Sequence, residues 1–164
     1  MSTAAVHQAE STITARPRRS RRSAAALLAL LLFAVATAGC MGAEERTFLD
    51  RTNALRSSQG VRTLKEHDAL TDKAEAWAQH MASTGRLEHS SLTVGLASVS
   101  WTALGENVGY STPTANTLKT IHDRFVASAA HKANLVNAGY THMGVGVAKD
   151  RSGRVWVAEV FAKI

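Results

Sequence analysis

Apolar residues Phe48, Leu49 and Leu55 recur with Thr52 at three- to four-residue spacing, while Asn53 and Arg56 fall on another face. That period predicts a short amphipathic helix with Thr47 as its cap and Gly60 as its stop. A longer stripe of Leu70, Ala74, Trp77, Ala78 and Met81 predicts a second helix, with Asp68 placed to cap it, Gly85 to end it and Trp77 in the core. A third begins after Pro113 with Thr114 as cap and turns Leu118, Ile121, His122, Phe125 and Val126 inward. The small residues from Ala127 to Ala130 allow another element to come close. Lys132 to Asn137 then adds a further helical turn or two before Ala138-Gly139.

After Gly139 the period changes from helical to alternating. Val145 and Val147 alternate with Gly144, Gly146 and Ala148, Asp150-Arg151-Ser152-Gly153 turns the chain, and Val155, Val157 and Phe161 follow, which predicts a β-hairpin. Its glycines thin one face for close approach of a helix or loop, and Trp156 is expected on the opposite face. The stretch Thr93 to Thr112 has no sustained period and reads as a loop with at most a short strand around Ala97 to Trp101. Helices first and a hairpin last, with no βαβ alternation, give an α+β layered domain.

The N-terminal segment has a different character. Arg16, Arg18, Arg19, Arg21 and Arg22 precede an Ala/Leu/Phe/Val run from Ala24 to Ala36 and a small-residue exit, Thr37-Ala38-Gly39-Cys40. Residues 1–39 therefore read as a signal peptide, 40–46 as a short linker and 47–164 as the folded domain, so the protein is expected to be exported. Ala36-Thr37-Ala38 suits A-x-A cleavage, whereas Ala38-Gly39-Cys40 suits a lipoprotein signal that leaves an acylated Cys40 anchored in the cell envelope membrane. Removing those five arginines and Glu10 lowers the formal charge from +6 to +2, too little to argue for a nucleic-acid partner. A single cysteine excludes an intrachain disulfide and a structural zinc–thiolate site.

Three ionisable side chains sit between small or turn-forming neighbours: His89, Glu106 and His131. Two neutral imidazoles and a carboxylate in one cleft can hold a divalent ion such as zinc, with His89 and His131 as ligands. Glu106 could itself bind metal, orient an imidazole or act as a base, and all three residues are candidate catalytic groups. They could equally form a buried hydrogen-bond network with no ligand. Ser128 and His131 stand three residues apart, but no nucleophile elbow accompanies the serine. Asn107 and Asn134 are expected to satisfy backbone groups, and Asn53 and Arg56 to be structural.

The succession Asn53-Ala-Leu-Arg56, Trp77-Ala78, His89-Ser90, Gly105-Glu106-Asn107-Val108, Ser128-Ala-Ala-His131-Lys-Ala-Asn134-Leu135 and Gly144-Val-Gly146 resembles the CAP superfamily in its compact bacterial branch. That superfamily comprises cysteine-rich secretory proteins, antigen 5 and pathogenesis-related proteins. The resemblance implies a three-layer α-β-α sandwich with a small, mainly antiparallel central sheet, and a cleft holding two histidines and acidic residues, matched here by His89, Glu106 and His131. Larger members carry a second glutamate where this chain has Ser128, and a tryptophan where it has Phe125. The implied function is an exported, monomeric envelope protein whose cleft binds a divalent metal or a small or lipid-like ligand, or else a metal-dependent hydrolase.

Overall fold

The computed structural model describes residues 41–164, so the leader and Cys40 lie outside the described residues. Helix α1 spans Ala43–Ser58, β1 Lys65–Glu66, α2 Asp68–Thr84, β2 Ala103–Ser111, α3 Thr117–Ala127, α4 Ala129–Leu135, β3 His142–Lys149 and β4 Val155–Lys163. The sheet order is β1-β3-β4-β2. Both long-strand pairs are antiparallel, and only the two-residue β1 runs parallel to β3, so the sheet is mixed. No helix among the described residues is long and apolar enough to cross a membrane.

The alternation of β4 divides the interior into two cores. Val155, Val157 and Phe161 face Phe48, Ile121, Phe125 and Leu135 from α1, α3 and α4. Trp156, Ala158, Val160 and Ala162 face Leu70, Ala74, Ala78 and Met81 of α2. The expected three-layer α+β architecture follows. Helix α2 lies unusually close because β3 presents glycine to it: a Cβ added at Gly144 would overlap the Leu70–Thr71 peptide, and one at Gly146 the Ala74–Glu75 peptide.

Several local expectations change. Trp156 pairs with Ala148 and shares the face of Gly144 and Gly146, because the register sets residues of equal parity opposite each other. The supposed loop holds the nine-residue strand β2, placed after Trp101 and not around Ala97 to Trp101. Its sequence alternates glycine and asparagine with glutamate and valine, so no hydrophobic period announces it, and pairing with β4 along its whole length makes it a strand. The caps also shift. Helix α1 starts at Ala43, where Thr47 Oγ1 donates to the Ala43 carbonyl inside the helix, and α2 and α3 are preceded by His67 and Asn116.

Asn53 and Arg56 are structural, as their positions suggested. Asn53 exchanges two hydrogen bonds with the Leu64 backbone, and the fully buried Arg56 donates to the carbonyls of Arg62, Leu135, Asn137 and Tyr140. Five fixed donors on one guanidinium suit this convergence of loop and helix-end carbonyls. Gly146→Ala should destabilise the domain by about 1–3 kcal/mol through overpacking against α2. Urea denaturation checks this, and an unchanged midpoint would contradict it.

Candidate functional site

The site is assembled around β2. Residues on its even side, Glu106 and Val108, face α2, and those on its odd side, Gly105, Asn107 and Gly109, face α3 and α4. Glu106 has a side chain only 1% exposed, and its Oε1 lies 2.7 Å from His89 Nδ1 and accepts the Ser90 N–H at 2.9 Å. A carboxylate oxygen that accepts the peptide N–H can accept Nδ1–H as well, an arrangement that in the neutral ring leaves the lone pair on Nε2. The His89 ring is otherwise 64% exposed, so that nitrogen faces outward from a fixed base.

The loop between α2 and β2 is held in place by α2. Trp77 Nε1 donates to the Glu88 carbonyl, and Lys73 Nζ donates to the carbonyls of Ser91 and Val94. Trp77 is thus a half-buried rim residue, and His80 stacks on it at 4.5 Å.

His131 arrives from the other side on α4. The Asn107 amide donates to the His131 carbonyl at 3.2 Å, while Asn134 Nδ2 donates to Asn107 Oδ1 at 3.0 Å and to the Glu106 carbonyl at 3.1 Å. Both asparagines therefore serve backbone groups, and they tie α4 to the edge of β2. The His131 ring packs on Phe125 with centroids 4.9 Å apart. Burial first, and then repulsion from His89, lowers its pKa, so it is held neutral with Nδ1 buried and unpartnered. His89 and Glu106 touch directly, whereas His131 joins them through its field and through the asparagines. Among the described residues no three His, Cys, Asp or Glu side chains gather closely enough to hold a metal ion. Nor does any hydrogen bond among them join Ser128 to His131. Ser128 is the extended residue between α3 and α4 and lines a groove beside His131.

Residues 49–160 match the cysteine-rich secretory protein (CAP) family. The chain belongs to the CAP family. It is 29% identical over 132 residues to the uncharacterized protein YkwD of Bacillus subtilis, a match covering 75% of this chain and 49% of that protein. Its fold is similar to an extracellular SCP-domain protein of Bacillus anthracis, with TM-score 0.62 and 22% identity over 74% of this chain and 40% of the other. It is also similar to an outer surface protein of Borrelia burgdorferi, with TM-score 0.63 and 15% identity over 72% and 90% of the two chains. The CAP domain here thus spans about half the length of the curated relative it matches.

One residue of this CAP domain escaped the sequence analysis. Glu159, opposite Asn107 in the β2–β4 register, is fully buried; its Oε2 accepts the Asn107 amide at 2.9 Å and its Oε1 has no partner. Burial pushes its pKa up to about 8, only partly offset by the Asn107 hydrogen bond. The signal was a single acid within the apolar run Val155 to Phe161, where alternation placed it indoors. Because its folded pKa is raised, Glu159 contributes stability that is present below its unfolded value near 4.3 and is lost as pH rises through about 8. Unfolding free energies measured across that window should therefore diverge between wild type and Glu159→Gln. The wild type loses up to about 1.4 kcal/mol per pH unit relative to the variant. Parallel curves would contradict the assignment.

Proposed function

We propose that this CAP domain is an exported binding module of the cell envelope whose His89, Glu106 and His131 cleft takes a divalent metal such as zinc, or a small ligand, between the two imidazoles. The observation that carries the proposal is the 2.7 Å contact from Glu106 to His89 Nδ1, which directs Nε2 outward on a ring that is otherwise exposed. A carboxylate that orients a ligating histidine from behind raises the basicity of the free nitrogen. His131, kept neutral by burial, also has a lone pair to offer. The donor set fits a two-histidine site, in which the remaining positions belong to water or ligand, so the expected affinity is modest. A bound ion would supply Lewis acidity; this chain's residues hold and orient the two rings.

The hydrolase reading asks Glu106 to act as a base. Its Oε1 is occupied by His89 and Ser90, and its Oε2 is buried, which favours orientation over proton transfer. Export follows from the arginine-rich leader and apolar run, and acylation of Cys40 would place the domain at a membrane surface.

Zinc titrated calorimetrically into the mature domain should give a saturable heat that is absent in His89→Ala/His131→Ala. Glu106→Gln should weaken it about 10–100-fold, the usual effect of losing an outer-shell partner. Equal heats from wild type and the double variant would remove the metal proposal.

A further inference from the structure

Strand β2 lies at the edge of the sheet, so one side of its backbone has no strand partner. Three of its carbonyls identify that side. The Leu104 carbonyl accepts the Tyr140 hydroxyl at 3.2 Å, that of Glu106 accepts Asn134 at 3.1 Å, and that of Tyr110 accepts a long 3.4 Å bond from Arg124 Nη1. All three are even-numbered, and in an antiparallel pair alternate residues direct both N–H and C=O away from the partner. Val108 falls on the same outward side, and among the described residues no side chain donates to its carbonyl. The edge is thus capped at Leu104 and Glu106, uncapped at the carbonyl of the otherwise largely buried Val108, and loosely covered at Tyr110.

A groove of about 410 Å³ follows this open half, from Val108 through Thr112, walled by Phe125, Ser128 and the half-exposed Leu87. His131 stands at the Asn107 end, and Arg124 at the Tyr110 end.

We infer that this groove binds an extended peptide segment, added as a short strand to the open edge of β2 between Val108 and Thr112, with an acidic side chain or terminal carboxylate against Arg124. The peptide backbone supplies the donors and acceptors that Val108 and Tyr110 turn outward, which an alkyl chain cannot do. Four residue steps give about 13 Å of edge, enough for three or four peptide units. Pairing with β2 of a second copy is disfavoured because Tyr140 and Asn134 occupy the other half of the strand. The inference deepens the binding reading of the cleft by naming a ligand class, and it needs no metal.

The test uses fluorescein-labelled hexapeptides of alternating valine and threonine, ending in glutamate or in lysine, titrated by anisotropy in the presence of EDTA. The glutamate peptides should bind saturably, and methylating one alternate set of their backbone amides should abolish binding while methylating the other set should not. Arg124→Glu should weaken the glutamate peptides at least tenfold and favour the lysine ones. Val108→Pro, which removes an outward N–H outside the β4 ladder but also a side chain buried against α2, should abolish binding, and Tyr110→Pro, at an exposed position on the same outward side, should do so with the circular dichroism spectrum unchanged. No saturable binding, or binding indifferent to Arg124→Glu and to amide methylation, overturns the proposal. So does a wild-type dimer in sedimentation that Val108→Pro returns to monomer, because the edge would then belong to a second copy. EDTA keeps this result separate from the zinc titration, which can fail or succeed independently.

Discussion

The amide of Asn107 holds three elements at one point. It donates to the buried carboxyl of Glu159 on β4 and to the backbone of His131 on α4, while its oxygen receives Asn134. Each such bond is worth about 1 kcal/mol net, but leaving any of these buried groups unpaired costs more, so the cluster behaves as a unit. Its position on an edge strand is what matters for the site. Asn134, which helps to fix α4, also closes the first half of the edge together with Tyr140, leaving the Val108 carbonyl without a side-chain donor among the described residues.

The opposite face of β2 depends on a different constraint. Gly144 and Gly146 let α2 lie directly on the sheet, and α2 in turn holds the His89 loop through Trp77 and Lys73. Glu106 points into that side and fixes His89 and Ser90. The two histidines are therefore tied to β2 by independent routes, His89 through Glu106 on one face and the His131 backbone through Asn107 on the other, because consecutive residues of one strand project to opposite faces. A one-residue slip of β2 would reverse both.

Much of this arrangement was legible in the chain. The stripes Phe48 to Leu55 and Leu70 to Met81 marked helices because their burial is one-sided, and the glycines alternating with Val145 and Val147 marked a face for close packing. The order of short motifs, ending in Ser128 to Leu135, resembled the CAP superfamily and brought His89, Glu106 and His131 together as a set. What was hidden had separate causes. Strand β2 carries glycine, asparagine and glutamate where a strand is expected to carry apolar residues, since Glu106 and Asn107 pair with polar groups of the His89 loop and α4 while Gly105 and Gly109 lie tight against Tyr140 and Phe125. Glu159 was missed for the complementary reason, an acid inside an otherwise apolar strand, held neutral by burial. The side of Trp156 followed from register, which the hydrophobic pattern alone does not specify.

The central claim is that the Asn107 cluster, more than apolar packing of the short α4, holds His131 in the site. Hydrogen exchange measured residue by residue on Asn107→Ala tests it most directly. Amides of 129–135 should exchange at least tenfold faster in the variant, while those of α2 and β4 keep their protection. Unchanged protection in 129–135, or a uniform loss across the whole domain, would contradict it.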